Sequence, residues 1–322
     1  MRAPALTALA AALAVAGAPA ADGAVRDVDL GGVAEGAPSD AWTHAFLPST
    51  VRVRAGDSVR ITPYGDGVAF VPGAGAVPPP LVLDASGAPV VDPVVATRTA
   101  SGAPVVAGRA LSAGLPGDEE PEPWAVRFPR TGTFIVRDAL HPGVRLTVRV
   151  VGRRTRVPGA AELRAARRRA LAGALRRQRA LTRRKPVAGR VLAGPQDGPA
   201  ALERFVPSRT TLRAGQTLVL EVPAGASSRH TFTFGPTLSG LEDRANGLLT
   251  GARYDPTLAL PSAPGDPLVH TAAAQRELLG TGLLGVPGRA RSVRMRFDEP
   301  GTFRFLCVVH PGSMRGTVTV TP

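Results

Sequence analysis

A long stretch of this chain occurs twice. Phe46-Leu-Pro-Ser-Thr-Val-Arg-Val-Arg-Ala-Gly-Asp-Ser-Val-Arg-Ile61 aligns without a gap to Phe205-Val-Pro-Ser-Arg-Thr-Thr-Leu-Arg-Ala-Gly-Gln-Thr-Leu-Val-Leu220. Further on, Gly132-Thr-Phe-Ile-Val-Arg-Asp138-Ala-Leu-His141-Pro-Gly matches Gly301-Thr-Phe-Arg-Phe-Leu-Cys307-Val-Val-His310-Pro-Gly. Two such matches in the same order predict one architecture built twice. The 322 residues suffice for two ordinary domains. Each copy reads as several short strands separated by turn signals, the signature of a β-sandwich. With 37 Gly, 32 Pro and 4% aromatic residues, the composition suits short strands and many turns better than long helices.

The second copy holds the only cysteine of the chain, Cys307. His310 follows it by three positions and Met314 by seven, on a loop between two strand-like runs. Phe303, Phe305 and Cys307 alternate, so the thiol is expected on the same side as the phenyl rings, in a dry interior. A thiolate is stable there only beside a metal or a cation. One thiolate, one imidazole and one thioether suit a soft, redox-active ion, and a second His completes the His₂Cys set with weak axial Met of an electron-transfer copper site. The chain has five histidines. His230 is the best placed, after the strand-like run 217–222 and before Phe232 and Phe234, whose alternation predicts a half-buried strand. Met295, in an alternating apolar run, reads as core. His44 reads as a surface or packing residue, and His270 as a loop residue.

Residues 205–322 resemble a plastocyanin/azurin-type cupredoxin domain. The resemblance is carried by Arg213-Ala-Gly-Gln-Thr, the His230 strand, Glu299-Pro-Gly-Thr-Phe303 and the Cys307/His310/Met314 loop with its closing Gly-Thr-Val-Thr-Val. It implies one type 1 copper with His230, Cys307, His310 and Met314 as ligands. The family often has Asn after the first His, hydrogen-bonded around the Cys. Here the position is Thr231, whose hydroxyl can do a similar job. The expected fold class is mainly β: two cupredoxin-like Greek-key β-sandwiches joined by a basic helical linker. The expected segments are a signal peptide over 1–20, a degenerate cupredoxin-like domain over 26–151, the linker over 152–199 and the copper-binding domain over 200–322.

In the first copy Asp138 stands in place of Cys307, Val144 falls near Met314, and Val71 or a neighbour falls near His230; His141 alone survives. A carboxylate and one imidazole make no soft-metal site, so this copy reads as a metal-free scaffold.

Between the copies, apolar positions over 160–185 recur at helical spacing amid ten Arg and Lys, before Pro186. This basic amphipathic helix is either a solvated linker or a docking surface for an anionic partner. An insertion over 238–289 separates the His230 strand from the ligand loop and suggests a covering loop.

The first twenty residues carry one Arg, an apolar run and Ala18-Pro-Ala20, a secretory signal with an A-x-A cleavage site. No later segment has an apolar run long enough to span a bilayer, so an exported protein without a transmembrane anchor is expected. The net charge is +14. Export and the lack of base-stacking aromatics beside the arginines argue against nucleic acid as a partner. The expected partners are an acidic redox protein of unspecified identity and an anionic cell-envelope surface. The function expected is single-electron transfer, with copper sequestration or delivery as the alternative. An enzyme is disfavoured, because a set of four protein ligands leaves no position for substrate and the chain has too few histidines for further copper sites.

Overall fold

The computed structural model describes residues 23–115, 122–262, 266–271 and 277–322; the expected signal peptide lies outside them. The protein is mainly β, as its composition and alternation predict. Strand Arg145–Val151 buries Leu146, Val148 and Val150 and turns Arg145 and Arg149 outward, and Arg315–Thr321 buries Gly316, Val318 and Val320 in the same rhythm.

Strands from the first part of the chain form two five-stranded sheets. In the first, Val25–Leu30 lies between Phe46–Leu47 and Ser58–Pro63, followed by Trp124–Arg127 and Ala103–Pro104. In the other, the order is Leu111–Ser112, Ala69–Val71, Gly132–Asp138, Arg145–Val151 and Thr50–Arg54. Between them lie Phe46, Val59, Ile61, Trp124, Phe128 and Leu146.

The later part forms a second pair of five-stranded sheets. One has the order Phe205–Val206, Arg190–Ala193, Thr217–Glu221, Ser292–Phe297, Leu268–His270. The other has the order Arg209–Arg213, Arg315–Thr321, Gly301–Leu306, Thr233–Phe234, Leu279–Gly280. Their shared core is a phenylalanine cluster of Phe205, Phe232, Phe234, Phe297, Phe303 and Phe305 with Met295. Each such ring removed from water contributes roughly 1.5–3 kcal/mol.

Segment 152–199 is not helical throughout. Its helix spans Ala160–Leu181, shorter than the expected 160–185, and Arg190–Ala193 is already a strand of the second pair of sheets. Ala, Leu and Arg favour the helix. Glu162 caps its start by accepting the Gly159 N–H at 2.9 Å. Leu163, Leu171, Ala174, Gln178 and Leu181 form the buried face. Gln178 donates to the Trp42 carbonyl at 2.8 Å, so the helix is packed onto the body rather than free in solvent. No helix among the described residues is long and apolar enough to cross a membrane.

Two further sheets span the seam. Ala41–Thr43 pairs with Ala200–Leu202, and Pro89–Val90 pairs with Arg253–Tyr254. The second pairing assigns the 238–289 insertion a structural role. Tyr254 donates to the Pro80 carbonyl at 2.9 Å, and Leu241, Leu283, Leu306 and Val308 share one apolar cluster with Val68, Phe70 and Leu140. The His230 segment is not half-buried as the alternation predicts. Every residue from Ser227 to Phe234 is buried, with Arg229 bonded to Leu140, Phe232 to Thr281 and Thr231 to Val308.

Candidate metal centre

The loop after Gly301–Leu306 is held by its own backbone. The Cys307 N–H donates to the Met314 carbonyl at 3.0 Å, the Met314 N–H to the His310 carbonyl at 3.0 Å, and the His310 N–H to the Cys307 carbonyl at 3.2 Å. The chain thus turns back into Arg315–Thr321 with Cys307 and Met314 side by side, both completely buried. As the alternation predicts, Cys307 shares the core of Phe303 and Phe305, while Leu306 belongs to the seam cluster.

The second segment arrives by sheet register. Thr233 lies opposite Leu306, which brings Thr231 alongside Cys307. The Thr231 N–H points at the sulfur from 3.4 Å, and its Oγ1 accepts the Val308 N–H at 3.0 Å. The hydroxyl therefore ties the two segments together. His230 is anchored on its other side by a two-way bridge to Leu284, at 3.2 and 2.8 Å.

The result is a triangle of donors. Cys307 Sγ is 3.8 Å from His230 Nδ1 and 3.8 Å from His310 Nδ1, and the three ligand atoms lie within 4.8 Å of one another. The centre of such a triangle is about 2–2.5 Å from each corner, which matches metal–nitrogen and metal–thiolate bond lengths. It is the only group of three such donors among the described residues. Burial holds the His230 imidazole well below its ordinary pKa, with His310 adding to the effect, and lowers His310 to about 4. Both rings are therefore neutral and ready to ligate near neutral pH. Burial pushes the Cys307 thiol up, while the N–H groups of Thr231, Val309 and His310 pull it back. A bound cation would supply the remaining stabilisation of a thiolate.

Three further residues shape the site, and local sequence patterns mark none of them. Gly194 lies over His230; a Cβ there would stand 2.0 Å from Nε2. Arg229, next to His230 in the chain, is buried. Glu203 faces His310 Nε2 at 3.6 Å. The side chain of His310 is 12% exposed and opens on a recess lined by Ser39, Asp40, Glu203, Arg204 and Ser313 as well as Pro311 and Gly312. The mouth of the site is thus largely polar.

The corresponding place in the first sandwich is laid out in the same way around a carboxylate. The Asp138 N–H donates to the Val144 carbonyl at 3.0 Å, as Cys307 does to Met314. The Val68 N–H donates to Asp138 Oδ1 at 3.1 Å, as Thr231 does to Cys307. Arg137 lies opposite Phe70, so the position equivalent to His230 is Gly67 rather than Val71 or its neighbour. His141 is engaged by Asp138 at 2.7 Å and Asp66 at 3.3 Å.

The other expectations divide. Met295 is core, fully buried. His44 is buried at the seam, its ring 4.7 Å from that of His141. His270 is not a loop residue. It ends a strand that pairs in parallel with Ser292–Phe297, and it is completely buried among Phe234, Phe297 and Phe303. Burial lowers its pKa to about 4.

No protein-family model matches this chain, and no curated protein does. Solved structures resemble parts of it. Oxidised plastocyanin from Dryopteris crassirhizoma is 21% identical over 41% of this chain and 99% of its own, with a TM-score of 0.25. Auracyanin A, a "blue" copper protein from the green thermophilic photosynthetic bacterium Chloroflexus aurantiacus, is 18% identical over 42% of this chain and 99% of its own, with a TM-score of 0.27. Amicyanin from Paracoccus versutus is 17% identical over 42% of this chain and 84% of its own, with a TM-score of 0.21. Likenesses at this level leave the functional reading to the residues of the site.

Proposed function

We propose that this chain is a copper-binding electron carrier, with one type 1 copper held by His230, Cys307 and His310 and with Met314 as the weak axial ligand. The observation that supports it is the buried triangle of one sulfur and two imidazole nitrogens, with 3.8 Å between the sulfur and each nitrogen. Copper in such a set supplies a one-electron couple between Cu(II) and Cu(I). The chain's own residues do the rest. His230 and His310 present neutral nitrogens, Thr231 directs an N–H at the sulfur, and the phenylalanine core keeps water away. The partly exposed His310 is the electron's way in and out. A donor set drawn entirely from the protein favours a carrier over an enzyme.

For the partner, we propose an anionic surface met by the helix Ala160–Leu181, on which Arg168, Arg169, Arg176 and Arg179 are exposed. Two other cations of this helix, Arg167 and Arg177, face Asp29 and Asp197.

The test is the visible spectrum of the oxidised, copper-loaded full chain. Intense thiolate-to-copper absorption at one copper per chain is expected, and Cys307→Ser should abolish it while the far-ultraviolet β signature persists. If the Ser variant still binds one copper tightly, the sulfur is not a ligand and the assignment is wrong. A sequestration or delivery protein would instead surrender its copper to a thiol acceptor faster than it exchanges electrons.

A further inference from the structure

Arg229 precedes His230 in the chain, yet its side chain reaches across the seam into the first sandwich. It is 6% exposed. One guanidinium nitrogen donates to the Leu140 carbonyl at 3.0 Å, and another faces Asp66 at 3.5 Å. Its Nε is buried with no hydrogen-bond partner among the described residues. On the far side, Asp66 meets His141 Nε2 at 3.3 Å, and His141 Nδ1 meets Asp138 at 2.7 Å. Burial alone would lower the His141 pKa, but the two carboxylates outweigh it and raise it to about 10, so this ring is an imidazolium. The row Asp138, His141, Asp66, Arg229 therefore alternates in sign and ends in the positive charge of the residue that adjoins His230 in the chain.

The two ends of the seam pair are not equivalent. An arginine does not give up its proton in a protein, and Arg229 is enclosed where screening by salt and water is weak. The side chain of Asp66 is half-exposed, and at His310 its effect exceeds that of Arg229. Arg229 acts electrostatically on Cys307, His230 and His310, and Asp66 acts on His310.

We propose that the first sandwich sets the reduction potential of the copper held by the second, through the Arg229–Asp66 pair that crosses the seam. This inference rests on the copper reading. When Cu(II) takes up one electron to become Cu(I), the site loses one unit of positive charge. A fixed cation nearby favours the product, and a fixed anion favours the reactant. Arg229 is thus a positioning and tuning residue, and the first sandwich is what holds it in place.

The experiment is redox titration of the copper absorbance in the full chain and in Arg229→Gln, Arg229→Lys and Asp66→Asn. Arg229→Gln should raise the ratio of Cu(II) to Cu(I) affinity at least tenfold, which is a potential lower by about 59 mV for one electron. Arg229→Lys, which keeps the charge, should recover most of the wild-type potential. Asp66→Asn should move the potential upward. Both neutral variants remove the same ion pair, so a purely structural effect would move them together, whereas the electrostatic effect has opposite signs. Shifts in the same direction, or a blue Arg229→Gln protein with unchanged potential, overturn the inference. Should Arg229→Gln fail to fold, the upward shift in Asp66→Asn and the retained potential in Arg229→Lys are still required. A wild-type chain that takes up no copper defeats the functional reading itself; a blue wild type with immovable potential defeats only this inference.

Discussion

Replacing Gly194 by Ala tests the site without touching a donor. Gly194 has φ of +63° and lies where an added Cβ would stand 2.0 Å from His230 Nε2 and under 3 Å from two ring carbons. Gly189, in the same segment, has φ of +70° but open space around the added Cβ. The left-handed backbone costs an alanine about 1 kcal/mol at either position. Only Gly194→Ala adds a clash. Ordinary contact between such atoms is about 3.5–4.0 Å, so ring or backbone must give way by about 1.5 Å, at a typical overpacking cost of about 1–3 kcal/mol. The His230 ring can retreat only by leaving a sulfur that it faces at 3.8 Å. Gly194→Ala should therefore destabilise the metal-free protein by about 2–4 kcal/mol against about 1 kcal/mol for Gly189→Ala. Its copper affinity should fall by about 100-fold or more, beyond the usual effect of disturbing a group that only orients a ligand. Urea denaturation of both apo variants and competitive copper titration give the two numbers. Equal stability losses, with the blue spectrum and affinity intact in both, would falsify the placement of His230 beneath Gly194.

Two further outcomes are expected. His141 is raised to about 10 in the folded protein from an ordinary 6.5, so its stabilising contribution is complete below about pH 6.5 and is lost as pH rises toward 10. Metal-free wild type should lose on the order of a few kcal/mol between pH 7 and 10 that His141→Gln does not lose, and parallel pH slopes in urea denaturation would show that the ring carries no charge at the seam. Replacing Arg168, Arg169, Arg176 and Arg179 by Gln should weaken binding to vesicles of anionic lipid and flatten its salt dependence, with the copper spectrum unchanged; binding that ignores both salt and these substitutions would reduce the helix to a structural brace.

Much of the candidate site was legible because it is local. Cys307, His310 and Met314 lie within eight residues of one another on one turn, and the alternation of Phe303, Phe305 and Cys307 announces which way the thiol faces. His230 followed from the scarcity of histidines and from the strand pattern beside it. The mainly β character was equally readable, since a period of two and frequent turn residues are properties of short windows. His270 departs from expectation for the same reason. Its neighbourhood has the composition of a loop, and only the parallel pairing with Ser292–Phe297 makes it part of a sheet. The residue order of the first copy points to Val71 or a neighbour as the counterpart of His230, whereas the pairing of Arg137 with Phe70 puts Gly67 there.

What the sequence by itself determined is the chemistry on offer and the elements that carry it: one thiol, neighbouring imidazole and thioether, short alternating strands, and one cationic helix. Tertiary structure alone decided what surrounds that chemistry. Arg229 meets Leu140 and Asp66 across separations of 89 and 163 residues. Glu203 faces His310 across the mouth, and Gly194 becomes indispensable only once His230 lies beneath it. Periodicity reports how a segment places its own side chains relative to its own backbone. It carries no information about which distant segment fills the space beyond them, and in this protein that space is where the charges beside the site are fixed.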